Sequence, residues 1–402
     1  MEKESTKKIG LNLLLINAFI YISFSLYAPF LSSYYSKAGI NAVQIGIILT
    51  IGPVVAIFVQ PLWALLSDRT GRRKDILSLV VLGSAMSMFS FYIGHSFLTY
   101  FIASFLLAIF CTSIVPLSDA IILNKARKNQ LDFSKIRMGG TIGFAIVVIF
   151  SGMIIKYNSD LMFIMGFIGY FLLFLSIRLL PEDNAEKLRV TDKQLEHKPK
   201  IKKRIKILDI FESKQIFFIL AFAFINQMGL SFHYSFLGVY MVNLGLSEGM
   251  IGVINCVSAF SEIPVLFLIN RIMKKMNTTK ITILACFLLS LRIFTVTGEN
   301  IMFMILSQAL HGLTYMTIYY SCAVFISHNV KQENQSQGQS ILAIVQTGIG
   351  SIVGNIMGGY LVDAFGLKPA YYSMSAIIII TSSAIVIIQI LYQRHSKKRK
   401  EA

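Results

Sequence analysis

"LLSDRTGRRK", residues 65–74, carries Asp68, Arg69, Arg72, Arg73 and Lys74 within ten positions. The chain on either side is almost wholly apolar, from Gln44 to Leu66 before the knot and from Ile76 to Gly94 after it. Each flank runs about 20 residues, and at ~1.5 Å per residue a helix of that length crosses a hydrocarbon layer of roughly 30 Å. A charged turn between two such runs reads as a short loop at a membrane surface.

The rest of the chain agrees. Of its 402 residues, 55% are hydrophobic and 14% charged, more apolar surface than one water-soluble core could hide. Hydrophobic runs broken by polar punctuation predict twelve spans, near 9–35, 42–66, 75–94, 97–123, 136–156, 159–180, 214–243, 247–269, 279–297, 300–327, 338–361 and 369–392. Uninterrupted runs suit helices and not the alternating strands of an outer-membrane barrel. The expected fold class is an all-α membrane protein with twelve transmembrane helices.

A net charge of +17 would suit a nucleic-acid partner, but its placement argues otherwise. Of the 37 Lys and Arg, 33 fall in the two tails, in alternate gaps between spans, or on the span ends bordering them. The opposite gaps hold Lys37, Lys156 and Lys368, and Arg292 lies inside a span. That asymmetry predicts cytoplasmic termini, a cell-membrane location and contact with anionic lipid, and no nucleic-acid role. Cys111, Cys256, Cys286 and Cys322 show no metal spacing, so neither a disulfide framework nor a metal site is expected. The first run lacks a small-residue cleavage site and reads as an uncleaved span. No cofactor is expected: there is no GxxxxGK[ST] for ATP.

One long hydrophilic segment divides the spans six and six. The expected domains are an N-terminal bundle (1–181), a cytoplasmic central loop (182–213), a C-terminal bundle (214–393) and a basic tail (394–402). An offset of 206 residues superposes Ser25 on Ser231, Phe30 on Phe236, Tyr34 on Tyr240, Gly39 on Gly245, Gly46 on Gly252, Thr141 on Thr347 and Gly152 on Gly358. Parallel repeats of this kind predict two pseudo-symmetric bundles with a solute site between them near midplane. "DRTGRR" (68–73) has a faded counterpart in "NRIMKK" (270–275). Bases alone serve as inside markers, but Asp68 and Gly71 between them suggest a gating turn built from Asp68, Arg69, Gly71, Arg72 and Arg73.

Residues 64–73 resemble the loop signature of the major facilitator superfamily, G-x-x-x-D-R/K-x-G-R-R/K, with Ala64 in place of the leading glycine. Within it the chain is most similar to the lactose-permease and phenylpropionate-permease branch. The resemblance rests on "YAPF" (27–30), "QPLWALLSDRTGRRK" (60–74), "SDAIILNKARKNQLDFSKIRMGGTIGF" (118–144), "INRI" (269–272), "SLRIF" (290–294) and "ALHGLTY" (309–315). It implies a twelve-helix secondary transporter working by alternating access, with a small-molecule substrate and protons as partners and a monomer as the working unit.

An ionisable group inside a span costs roughly 2.5–3.5 kcal/mol by insertion scales, so it usually faces a cavity or a partner. The candidates are Asp119, Arg137, His233, Glu262, Arg292 and His311. In the branch resembled, the positions of Asp119 and Arg137 hold a sugar-binding acid and arginine, and that of Phe144 an aromatic stacked on the sugar. The competing reading is a structural ion pair near the interface. Asn255, Ser258 and Glu262 form one helical stripe, and Gln308, His311 and Tyr315 another. The resemblance places proton coupling on Arg292 and His311, with Asn255 and Thr314 standing where the branch carries acids. Glu262 is then the available acid, unless it simply pairs with Arg292. Tyr27, Tyr34, Gln227, His233 and Tyr234 are candidate cavity-liners, with Tyr27 and His233 assigned to substrate.

The reading is proton-coupled symport of a hydroxylated solute (sugar or nucleoside) or an aromatic acid. Proton-driven efflux of drugs or metabolites is an alternative, and a non-transporting receptor on the same scaffold is one of another class. An enzyme is not expected, because no nucleophile, base and oxyanion donors converge.

Overall fold

The computed structural model describes residues 2–180, 215–330 and 334–401. Among these, twelve helices are long and apolar enough to span a membrane. They are α1 (Lys7–Lys37), α2 (Ala42–Thr70), α3 (Arg73–Tyr92), α4 (Phe97–Lys128), α5 (Lys135–Ile155) and α6 (Leu161–Arg178). Then come α7 (Gln215–Asn243), α8 (Glu248–Ile269), α9 (Thr278–Val296), α10 (Ile301–Asn329), α11 (Gln337–Phe365) and α12 (Leu367–His395). Every expected span is matched, most ends within a few residues. The expected central loop lies almost wholly outside the described residues, as do the side chains of the basic tail from residue 396 onward.

The 206-residue repeat holds at the level of single hydrogen bonds. Gly39 and Gly245 end α1 and α7 with φ of 81° and 80°, the left-handed conformation that glycine adopts without a Cβ clash. At both ends the same bond closes the turn: Ile40 N–H donates to Tyr35 O and Leu246 N–H to Met241 O, each at 3.0 Å.

The chain divides into two compact units. The first comprises Met1–Ile40, Ile51–Lys203 and Met241–Cys256. In it α1 lies against the glycines of α5: a Cβ on Gly139 or Gly143 would press on Leu14 or Ile22. Small residues suit a membrane interior, where packing and hydrogen bonds hold helices together because lipid is as apolar as Leu. The first turns of α8 also belong here. A Cβ at Gly252 would meet the carbonyl of Val148 on α5, and one at Gly152 that of Glu248. Glu248, buried, pairs with Lys37.

The second unit comprises Asn41–Thr50, Arg204–Tyr240 and Val257–Ala402. Its seam between α2 and α11 repeats that of α8 and α5: a Cβ at Gly46 would meet the carbonyl of Asn355, and one at Gly359 that of Ala42. The electrostatics differ. Asp363, in the last turn of α11, accepts Ala42 N–H at 2.9 Å and Val43 N–H at 3.1 Å, so its carboxylate caps the start of α2.

Candidate functional site

Arg292 organises the second unit. Its position on α9 leaves it fully buried, so its charge must be met by acceptors from neighbouring helices. Nη1 donates to His311 Nδ1 at 3.0 Å and to Thr314 Oγ1 at 3.1 Å, and Nη2 donates to Gln308 Oε1 at 2.7 Å. All three partners lie on one face of α10. His311 Nε2 in turn stands 3.0 Å from Glu262 Oε1 on α8. The approach of these two helices is close enough that Gly312 N–H donates 2.9 Å to Ser261 Oγ. Tyr315 stacks on His311 with ring centroids 5.3 Å apart and planes 10° from parallel.

The chemistry of guanidinium fixes the direction of this chain, because arginine only donates. His311 Nδ1 faces Arg292 and, at 3.1 Å, the Tyr234 hydroxyl, so it must present a lone pair. The ring proton then sits on Nε2 and is donated to Glu262. A proton added to His311 Nδ1 would set donor against donor. Glu262 stands at the more open end of this chain, its side chain 16% exposed against 5% for His311. No direct hydrogen bond joins Glu262 to Arg292 among the described residues; His311 stands between them.

The other expected residues fall as follows. His233 on α7 is fully buried and its Nε2 lies 3.2 Å from Gln308 Nε2, so it joins the Arg292 cluster through that amide. Asn255 satisfies its amide on the carbonyl of Ile251 at 2.9 Å. Asp119, Arg137, Phe144 and Tyr27 lie in the first unit. Asp119 and Arg137 are half-buried, and no hydrogen bond or ion pair joins them among the described residues. The Arg137 guanidinium instead lies over the ring of Tyr21, 4.1 Å from its centroid. Phe144 is half-buried, and the Tyr27 hydroxyl pairs with that of Tyr170 at 2.8 Å.

In the cationic turn, Gly71 takes φ of 64° and ends the helix. Arg73 Nη2 lies 3.2 Å from Asp68 Oδ1. Arg69 and Arg72 are exposed. Lys74 Nζ donates to the carbonyls of Arg178 and Leu180 at 3.0 and 2.5 Å, and Arg178 pairs with Asp75 at 3.1 Å. The knot thus also binds the start of α3 to the end of α6, which the sequence did not suggest.

Two partners of Arg292 do more in the structure than the sequence alone indicates. Gln308 makes its shortest bond, and Thr314 supplies an acceptor where the branch resembled carries an acid. The only sequence signal for Gln308 is its place three residues before His311 on one helical face.

Comparison with known proteins supports the same architecture. The chain is 24% identical over 348 residues to the uncharacterised transporter YwbF of Bacillus subtilis (strain 168), covering 85% of this chain and 84% of that one. It is 21% identical over 384 residues to a maltose permease of Geobacillus stearothermophilus, covering 95% and 94%. Its fold is similar to the crystal structure of the nucleoside transporter NupG (D323A mutant), with a TM-score of 0.78 at 15% identity, covering 94% of this chain and 99% of that one. Its function is transport across a membrane and not enzymatic catalysis. Matched over residues 11–373, this multi-pass membrane protein belongs to the MFS_1 like family of major facilitator transporters.

Proposed function

We propose that the protein is a proton-coupled symporter of a small hydroxylated solute, a sugar or nucleoside, with Glu262 as the proton carrier. The observation that carries this reading is the sequence Glu262–His311–Arg292, which runs from a partly exposed acid to a fully buried cation. With Glu262 ionised, the cluster holds one anion and one cation joined through a neutral imidazole. A proton on Glu262 removes the anion and leaves the Arg292 charge buried without a counter-ion, an arrangement costing several kcal/mol unless new acceptors arrive. Oxygen atoms of a bound solute are such acceptors. Proton and solute then favour each other's binding, which is the linkage symport requires.

Within the first unit, Asp119 and Arg137 offer an acceptor and a forked donor suited to paired hydroxyls, and Phe144 an apolar face for a ring. The maltose permease and nucleoside transporter among the similar proteins agree with a hydroxylated substrate. In this reading both termini are cytoplasmic, the monomer is the working unit, and the turn of Asp68, Arg69, Gly71, Arg72 and Arg73 steadies the inner rim during alternating access.

Thermal stabilisation of purified protein by maltose, uridine and an aromatic acid tests the substrate class. Stabilisation by the sugar or the nucleoside supports the reading; stabilisation by the aromatic acid alone opposes it. Proton coupling is tested by comparing gradient-driven uptake in the native protein and in Glu262→Gln.

A further inference from the structure

The Arg292 cluster extends beyond its proton end. Gln308 Oε1 is held by Arg292 Nη2 at 2.7 Å, and Gln308 Nε2 lies 3.2 Å from His233 Nε2. The amide cannot be turned round, since its NH2 would then face a guanidinium that only donates. Gln308 Nε2 is therefore the donor to His233, and His233 Nε2 must carry a lone pair. The imidazole proton is left on Nδ1, and Nδ1 is buried with no hydrogen-bond partner among the described residues. One orientation, dictated by Arg292, thus fixes the tautomer of a histidine on another helix.

We propose that Gln308 is the positioning residue that transmits the charge state of the Glu262 end to His233, which rests on the reading of Glu262 as proton carrier. With Glu262 ionised, Arg292 holds Gln308 Oε1 and His233 is kept as an Nδ1–H donor. With Glu262 protonated, Arg292 turns to new acceptors, its hold on the amide is released, and the tautomer of His233 is no longer imposed. The ionisable and charged groups around this path are Glu262 on α8, Arg292 on α9, His311 and Tyr315 on α10, His233 and Tyr234 on α7 and Tyr371 on α12. The Tyr371 ring lies 6.1 Å from that of His233. Among the described residues, only the uncharged Gln308 is hydrogen-bonded to both Arg292 and His233.

The experiment uses full-length protein in detergent, labelled with nitrogen-15 in histidine, and reads tautomers from proton–nitrogen correlations across the ring. Loss of signals in His233→Asn assigns the residue. In the native protein His233 is expected as the Nδ1–H form. In Gln308→Glu, whose carboxylate only accepts, it is expected to switch to the Nε2–H form. Glu262→Gln is expected to move the His233 ring signals when Gln308 is present and to leave them unmoved in a Gln308→Met background. A native Nε2–H form, or an equal effect of Glu262→Gln in both backgrounds, overturns the proposal. The proton-carrier reading fails separately, if His311 signals titrate identically in native protein and in Glu262→Gln. Should Gln308→Met fail to fold, Gln308→Glu serves as the second background: Glu262→Gln is expected to leave the His233 tautomer unmoved there, and an effect equal to that in the Gln308 protein overturns the proposal.

Discussion

Arg292 and Glu262 are joined through a third residue: His311 accepts from Arg292 Nη1 at Nδ1 and faces Glu262 Oε1 with Nε2, each at 3.0 Å. The imidazole passes charge compensation between a buried cation and an acid on another helix.

Removing only the acid therefore strands the cation. Glu262→Ala should destabilise the protein, by less than the roughly 3–5 kcal/mol of a directly bonded buried pair, because Glu262 is partly exposed and reaches Arg292 through His311. The double variant Glu262→Ala, Arg292→Met should lose clearly less than the sum of the single changes. Denaturant unfolding of the four proteins measures the coupling; strict additivity would mean that His311 does not link the two.

The seams of α2 with α11 and of α8 with α5 are repeat counterparts, with α2 and α8 offset by 206 residues and α5 and α11 by 207. Gly46→Val and Gly252→Val should each destabilise by at least about 1–3 kcal/mol, because the added atoms fall on backbone and not on a mobile side chain. Gly52→Ala, with no atom within 4 Å of the new Cβ, should leave the melting temperature unchanged or raised. Equal tolerance of all three would deny the close approach.

Asp363 caps α2 from another helix. Asp363→Ala should cost about 0.5–2 kcal/mol and speed hydrogen exchange at the amides of Ala42 and Val43. Asp363→Asn, which keeps one acceptor oxygen, should lose less. Unchanged exchange at both amides in the alanine variant would contradict the cap.

Lys368 donates 2.9 Å to Glu299, and this bond holds the Glu299 carboxyl below the ordinary glutamate range. The pair's contribution is fully present above the unfolded glutamate pKa and is lost as pH falls through the lowered folded value. Melting temperatures of native protein and Glu299→Gln should differ slightly at neutral pH and converge in acid. Divergence on acidification would reverse the assignment.

The spans were legible because length and apolarity suffice to define them, and Gly39 and Gly245 because a shared need for positive φ survived in both halves. The buried ionisable residues were equally visible, since a charge in an apolar run stands out. Partner choice was not. Nothing in the sequence says that Arg137 lies over Tyr21, that Arg292 bonds Gln308 most closely, or that His311 separates it from Glu262. Those outcomes depend on the rotation and depth of one helix against another, which single-helix periodicity does not encode. Lys74 illustrates the same limit: its value as an inside marker was plain, while its bonds to the end of α6 required the fold.

The central claim is that Glu262 exchanges the coupling proton. It is tested most directly by accumulation of radiolabelled maltose or uridine in proteoliposomes with an alkaline interior, set beside equilibrium exchange of the same solute. Native protein should concentrate the solute and also exchange it, whereas Glu262→Gln should exchange it at a measurable rate without concentrating it. Gradient-driven accumulation by Glu262→Gln equal to that of the native protein would contradict the account.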